Sequence, residues 1–268
     1  MGVKIKRLGK IWLLGLYSRI MQRLEYRFNF FVMVVGGIIQ MSLMIAFVNI
    51  IFNYINNLSG WNYDQAMIIV GSYMMVDGFL WGTCAYLFGL SLHIREGTLD
   101  TLIVKPADTQ FLVTASQGDP EDWVKFAIGL MVFLNSLIKL DIGLANLMVN
   151  TPFYLLMMLN SIVIIYSISL IIRSIAFWST DASNFWYVID NLTKISQYPA
   201  DIFFNKIVKI FFYTIIPAAF IATVPAEIMI HGPNFYLILS STIVAIIFFF
   251  ASRKFFNFAL KDYSSASS

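Results

Sequence analysis

Long stretches of this sequence carry no charge at all, and this feature limits what the chain can fold into. Phe28–Phe52, Pro152–Ile172 and Asn234–Ser252 are each uncharged. Two further stretches, Gln65–Leu92 and Trp123–Leu140, hold few charges. A helix rises about 1.5 Å per residue, so roughly 20 apolar residues cross the hydrocarbon core of a bilayer. The sequence therefore predicts an all-α integral membrane protein with five clear spans.

Composition agrees with a chain whose main solvent is lipid. Hydrophobic residues make up 59% of the 268 residues and charged residues only 12%, against about 25% charged in soluble domains. The net charge of +3 is too small to indicate a nucleic-acid partner. The one cysteine, Cys84, lies in an apolar run, which excludes a disulfide within the chain and indicates a buried thiol.

A sixth crossing falls somewhere between Ser174 and Met229, where two interpretations stay open. Trp178–Ser196 is amphipathic, and Ile210–Ala226 is apolar but is interrupted by two prolines. Either gives six spans with both termini on the same side of the membrane. At about 100° per residue one polar stripe lines the first segment, and we predict that it lines a transport pathway: Thr180, Asn184, Tyr187, Asn191 and Lys194.

Lysine and arginine placement sets the orientation. Basic residues cluster before the first span and after the last, so both termini are predicted to be cytoplasmic. If Trp178–Ser196 is the fifth span, four lysines lie outside: Lys139, Lys194, Lys206 and Lys209. If Ile207–Met229 is the fifth span, only Lys139 does, so charge favours that second assignment.

The N-terminal segment, residues 1–27, has the pattern of a helix that lies on the membrane surface. Ile5, Leu8, Trp12 and Leu16 share one face. Such a helix places its apolar side in the acyl boundary and its basic side on anionic headgroups. The predicted membrane-surface residues are Lys6, Arg7, Lys10, Arg19, Arg23 and Arg27. Ordinary anchoring and an elbow helix that shapes access from the inner leaflet are both compatible with this pattern.

A polar island, His93–Pro106, interrupts the apolar sequence and must lie in water on the cytoplasmic side. Thr98 is predicted to cap a short helix whose apolar face is Leu99, Leu102 and Ile103. Pro106 ends that helix, because the residue before a proline leaves the helical region. Later in the same loop, Asp119–Asp122 predicts a new helix start, with Asp119 as its cap. A docking helix for a cytosolic partner and a plain solvated loop are the two interpretations.

Charges inside the spans are the other candidates for function. Asp77 lies near the middle of the second span, where a bare carboxylate is unfavourable. It is predicted to be paired, protonated or facing a cavity, and to line the pathway. Asp190 and Lys194 are four residues apart and suitably spaced to pair.

Signatures of catalysis are absent from the sequence. It has no phosphate-binding loop of the G-x-x-x-x-G-K-[ST] type, and His93 and His231 lie on opposite predicted sides, which argues against a histidine metal site. We therefore predict no catalytic residue, metal or cofactor in this chain. Its energy must come from an ion gradient or a separate ATPase.

Taken together, these features resemble the type-2 permeases of bacterial ABC exporters, in particular the six-span permeases of uncharacterised transport systems. The residues that carry the resemblance are Ile94–Asp100, Lys105-Pro106, Tyr198–Phe203, Ile215–Phe220 and Val224–Ala226. The likeness covers essentially the whole chain, residues 1–268.

The resemblance implies a non-catalytic half-transporter in the plasma membrane that pairs with a second permease, identical or different. A cytosolic ATPase subunit would bind ATP and magnesium. It would dock on a coupling helix in the 93–122 loop, through Arg95, Glu96, Gly97, Thr98, Leu99, Asp100, Leu102, Lys105 and Pro106. Such permeases also have an N-terminal elbow and an extracellular re-entrant hairpin, here 198–233. This favours Trp178–Ser196 as the fifth span.

Two other classes remain as alternatives at this stage. An ion-coupled carrier or channel would use Asp77 as its ion site, and a membrane scaffold would transport nothing. Dependence on ATP or on an ion gradient distinguishes the first alternative from an ABC permease.

Overall fold

The computed structural model describes residues 2–179, 191, 193–202, 206–214 and 216–263, and in them it contains helices and no strand. Short 3-10 turns join several of the helices. The α-helices are α1 (Gly2–Glu25), α2 (Arg27–Tyr54), α3 (Tyr63–Phe88), α4 (Leu90–Arg95), α5 (Asp100–Ile103), α6 (Thr109–Ala115), α7 (Trp123–Lys139), α8 (Leu144–Ser174), α9 (Lys206–Thr214), α10 (Thr223–His231) and α11 (Phe235–Ala259).

Four helical stretches of the described residues are long and apolar enough to cross a bilayer. They are α2, α3 continued by α4, α8 with the turn after it, and α11 with the turn after it. They confirm an all-helical, multi-pass membrane protein and match four of the five predicted spans. The remaining one is α7, whose 17 residues extend about 25 Å. Most of Trp178–Ser196 lies outside the described residues, so the sixth span stays a prediction.

Helix α3 forms the centre of the molecule, and its contact with α7 depends on glycines. A Cβ on Gly71 would lie 2.8 Å from the carbonyl oxygen of Gly129, and one on Gly78 would lie 2.5 Å from the backbone nitrogen of Phe126. In a bilayer the hydrophobic effect does not drive helices together, so close packing at small residues stabilises their contact instead. Most of α3 is buried, whereas only Met41 and Val48 of α2 are. Helix α2 therefore lies at the periphery.

Polar side chains of α8 hold the segment between α9 and α11 inside the protein. Residues 216–226 of that segment are all buried. Asn150 Nδ2 donates to the carbonyl oxygen of Met229 at 3.0 Å, and Ser161 Oγ donates to that of Phe220 at 3.0 Å. Non-helical backbone is tolerated at membrane depth where protein satisfies its polar groups. These two bonds satisfy one backbone carbonyl in α10 and one in the turn before it.

Candidate functional site

A cavity of about 450 Å³ opens beside the middle of α3, between α2, α7 and the short segment that ends at Tyr198. Three charged side chains line it, Asp77, Lys125 and Lys194, together with aromatic and methionine side chains. The apolar part of the wall includes Met41, Met44, Phe47 and Trp81. Ligand sites usually combine such apolar walls with a few polar groups. The lining is suited to an amphipathic ligand.

An ion-pair network surrounds the carboxylate of Asp77. The ammonium of Lys125 lies 4.0 Å from Asp77 Oδ2 and 2.6 Å from Asp122 Oδ1. The Asp77 side chain is 28% exposed and Lys125 is 18% exposed. A carboxylate at membrane depth is unfavourable without a partner, and the Lys125 ammonium offsets that penalty. Asp77 is therefore both paired and turned toward a cavity, two of the three states that the sequence left open.

The structure brings two of the predicted pathway residues together. Asp77 and Lys194 line the main cavity and also a second one of about 100 Å³ beside it. Lys194 Nζ donates to Asn191 Oδ1 at 3.3 Å. Three other members of the predicted stripe, Thr180, Asn184 and Tyr187, lie outside the described residues, as does Asp190. The pathway role of all these residues stays a prediction.

Sequence reasoning missed Lys125 as a partner of Asp77. In the sequence, Lys125 is the third residue of the predicted span Trp123–Leu140, a position where a lysine ordinarily extends toward the interface. The acids just before α7 were the available signal, because Asp122 lies one helical turn from Lys125 and holds its ammonium near α3.

The predicted coupling segment, residues 93–106, follows a break in α3. Cys84 has non-helical angles (φ −122°, ψ 24°) inside that helix. A turn at Gly97, whose φ is +69°, separates α4 from α5. The imidazole of His93 stacks on the ring of Tyr86, with 3.7 Å between centroids and 6° between planes. The segment is therefore folded back against α3.

Burial corrects the predicted docking face of this segment. Leu99 and Leu102 are 0% and 5% exposed, because they pack into the chain's own core. In this arrangement they position α5 and cannot contact a partner. The surface available to a partner consists of other residues of the segment: Arg95, Glu96, Thr98, Thr101, Ile103, Val104, Lys105 and Pro106.

The predicted cap at Thr98 is also wrong. Its hydroxyl lies 2.9 Å from His93 Nδ1 and makes no capping bond to α5. Asp100, the first residue of α5, contacts the C-terminal segment of the chain, because its Oδ1 accepts a hydrogen bond from the Tyr263 hydroxyl at 2.8 Å. Burial, that hydrogen bond and the carboxylate charge raise the pKa of Tyr263 to about 12.

Arg173, a residue that the sequence pattern did not single out, connects the end of α8 to Phe88 at the end of α3. It is 1% exposed at the end of α8. Its guanidinium lies 4.9 Å from the centroid of the Phe88 ring and donates to the Phe88 carbonyl oxygen. The Trp81 ring stacks on the same Phe88 ring, with 4.3 Å between their centroids. Trp81 lines the Asp77 cavity, and Phe88 belongs to the same hydrophobic core as Leu99 and Leu102 of the coupling segment. Packed side chains therefore connect the coupling segment to that cavity.

The N-terminal basic residues divide into two groups. Lys6, Arg7, Lys10 and Arg27 are exposed, as a membrane-surface role requires. Arg19 and Arg23 point toward the loop before α7 instead. Their Nη2 atoms lie 2.9 Å and 3.0 Å from Asp119 Oδ1, and Arg23 also lies 2.6 Å from Glu121.

These ion pairs correct the predicted role of Asp119. Its backbone precedes the 3-10 turn Pro120–Asp122, but its carboxylate makes no capping bond there. It binds the two arginines of α1. Burial raises the pKa of Glu121 above its usual range, and the neighbouring Arg23 charge acts in the opposite direction.

The sequence from residue 38 to residue 267 matches the family model of the ABC-2 family transporter proteins. No curated protein and no solved structure matches the chain. The family match covers most of the chain and confirms the resemblance found in the sequence. It also implies partnership with a cytosolic ABC ATPase. The chain therefore belongs to the ABC-2 transporter family, the type-2 permeases that form the non-catalytic membrane subunit of ATP-binding cassette transporters.

Proposed function

We propose that this permease forms the translocation pathway of an exporter and is driven by a separate cytosolic ATPase that docks on residues 95–106. The contact chain from Phe88 through Trp81 to the Asp77 cavity carries this proposal. A displacement of the coupling segment would act on the cavity wall through rigidly packed rings. ATP hydrolysis in the partner would then alternate the access of the cavity to the two sides of the membrane.

The remaining architecture follows from the family and the charge pattern. Both termini would be cytoplasmic in a bacterial plasma membrane, α1 would be the elbow, and 198–233 would be an extracellular re-entrant hairpin. The sixth span would lie at Trp178–Ser196. The burial of residues 216–226 and their bonds to α8 support the hairpin, because an ordinary loop would lie in water. A second permease, identical or different, would complete the pathway.

Membership of the ABC-2 family argues against an ion-coupled carrier that works without an ATPase. The two classes differ in their energy source. Depletion of ATP should stop transport, and collapse of the ion gradient at constant ATP should leave it running.

A charge exchange tests the coupling role. Arg95→Glu combined with Glu96→Arg keeps the net charge but inverts the exposed pattern at the start of the segment. We expect normal membrane insertion, loss of transport, and ATPase activity that no longer responds to the permease. The matched control is Glu25→Arg with Arg27→Glu, an exchange at exposed positions on α1 and α2. Transport at the wild-type rate in the Arg95/Glu96 variant would exclude this docking site.

A further inference from the structure

A groove of about 380 Å³ separates the N-terminal half of α1 from the end of the coupling segment and the residues after it. Arg7 and Gly15 line it on the α1 side, and Lys105, Pro106 and Ser116 line the opposite side. The two walls meet at Gly15, where a Cβ would lie only 2.4 Å from the carbonyl oxygen of Ser116. The groove therefore begins at a fixed contact and extends toward the start of α1.

The polar groups of this groove are cationic and have no acidic counterpart. Arg7 and Lys105 are exposed, and neither forms an ion pair with a carboxylate among the residues that the structure describes. No acidic residue belongs to the described lining. Ser116 Oγ is buried and has no hydrogen-bond partner in the described part of the chain. A guanidinium, an ammonium and a hydroxyl without a partner in the described residues together favour an anion.

The next two arginines of the same helix make the contrast clear. Arg19 and Arg23 are neutralised by Asp119 and Glu121. The acids of this region thus pair with the C-terminal half of α1. The groove beside the N-terminal half has Arg7 on one wall and Lys105 on the other, so both walls are positively charged. Two cations that line opposite walls of one groove favour a negative group between them.

Apolar side chains next to the charges indicate where that negative group comes from. The rest of the lining is apolar and consists of Ile11, Leu14, Ala107 and Leu112. Leu14 is 55% exposed, and its neighbours Leu13 and Tyr17 on α1 are each 60% exposed. An exposed apolar surface beside basic residues is typical of the headgroup region of a membrane. Basic pockets on the cytoplasmic side of membrane proteins bind anionic lipid headgroups.

We propose that this groove is a discrete binding site for the headgroup of an anionic phospholipid. Arg7 and Lys105 pair with its phosphate, Ser116 Oγ donates to a phosphate oxygen, and an acyl chain lies against Leu14. The bound lipid joins α1 to the end of the coupling segment. This is more specific than general attraction of basic residues to a charged surface, and it holds whether or not the proposed ATPase docking is correct.

Native mass spectrometry of the purified chain in mild detergent tests the site. The probes are dioleoylphosphatidylglycerol and dioleoylphosphatidylcholine, and the test variant is Arg7→Gln with Lys105→Gln. Each basic residue near an anionic lipid surface is worth about a fivefold change in affinity. We expect one phosphatidylglycerol per chain in the wild type, about 25-fold weaker binding in the double variant, and unchanged, weak binding of phosphatidylcholine.

A matched variant distinguishes a built site from surface electrostatics. Lys254→Gln with Lys261→Gln removes the same charge from exposed positions that do not line the groove. This control should bind phosphatidylglycerol like the wild type. Equal weakening in both double variants would overturn the proposal, and so would inorganic phosphate displacing the lipid at equal concentration, because then the acyl chain contributes nothing.

Ser116→Ala provides a check that does not depend on net charge. It removes a hydroxyl without a partner in the described structure, so the lipid-free variant should unfold at the wild-type temperature or higher. Its phosphatidylglycerol binding should fall severalfold, and unaltered binding would remove Ser116 from the site.

Discussion

At the scale of single residues, the pairing of Asp77 with Lys125 decides what the cavity offers a ligand. One ammonium lies between two carboxylates, those of Asp77 and Asp122. Removing one member of a buried ionic group leaves the others without compensation, and this is more harmful than removing the whole group. The three members should therefore differ in their tolerance of substitution.

Lys125→Met should destabilise the protein more than Asp77→Asn does. The lysine variant leaves two carboxylates facing each other, with an expected loss of about 2–4 kcal/mol. The aspartate variant keeps the Lys125–Asp122 pair and should lose about 1 kcal/mol. Thermal unfolding in detergent measures both. If Asp77→Asn fails to restore stability to Lys125→Met, the two residues do not interact in the way described.

Arg173 is the second residue whose role can be tested directly. Arg173→Met removes the bond to the Phe88 carbonyl and the cation over its ring, with an expected loss of about 2–4 kcal/mol. Cys84, the one cysteine of the chain, lies at the adjacent break in α3 and should react faster with N-ethylmaleimide. The labelling rate of Cys84 in Arg173→Lys should lie between those of the wild type and Arg173→Met, because lysine still donates a charged hydrogen bond.

The exposed Arg95→Met is the control for this experiment and should leave the reactivity of Cys84 unchanged. Faster labelling in both variants would show that any loss of positive charge suffices. Wild-type labelling in Arg173→Met would show that the arginine does not hold the break.

At the scale of elements, glycine placement decides which helices pair. Gly71 and Gly78 lie one above the other on α3, seven residues apart, and both meet α7. Helix α2 also has a glycine pair, Gly36 and Gly37, but the nearest atom to a Cβ there is 3.9 Å away. The same residue type thus forms a helix interface in one element and faces open space in another.

Gly78→Ala should destabilise the α3–α7 pair by about 1–3 kcal/mol, because its Cβ would overlap the backbone of Phe126. Gly36→Ala should be neutral or stabilise by about 0.5–1 kcal/mol through better helix propensity. Chemical unfolding of the two variants in the same detergent compares them. Equal effects would mean that α3 and α7 do not approach as closely as described.

Several element boundaries could be predicted from local signals alone. The predicted span Trp123–Leu140 and the observed α7 differ by one residue. Asn234 was predicted to start the last span, and its Oδ1 accepts from Tyr236 N at 3.1 Å as a cap. The cap predictions at Thr98 and Asp119 were wrong because other partners compete for the same oxygen atoms. The partner of Thr98 is the nearby His93, and those of Asp119 are the two distant arginines of α1.

At the scale of the whole molecule, the coupling segment and the cavity belong to one packed unit. Phe88 shares a hydrophobic core with Leu99 and Leu102, it contacts Arg173 and Trp81, and Trp81 lines the Asp77 cavity. Close-packed interiors transmit displacements because they contain little free volume. The proposed coupling to an ATPase depends on this continuity.

Trp81→Ala should therefore separate ATP hydrolysis from transport. It removes the ring that connects Phe88 to the cavity, so transport should fall at least tenfold (about 1.4 kcal/mol) while the partner's ATPase activity persists. Trp81→Phe keeps a stackable ring and should retain most transport. Equal transport in both variants would show that coupling follows another route.

The sequence by itself determined the class of the protein and the place of its long apolar helices among the described residues. An uncharged run of span length forms a membrane-spanning helix because few other structures satisfy its backbone in a bilayer. Such a run can be recognised from neighbouring residues alone. The tertiary structure decided which side chains meet. Lys125 finds Asp77, Arg173 finds Phe88, and Leu99 and Leu102 turn into the core because helix packing and competition for shared partners depend on residues far apart in the chain. Helical periodicity reports which face a side chain occupies, but it carries no record of what lies opposite that face.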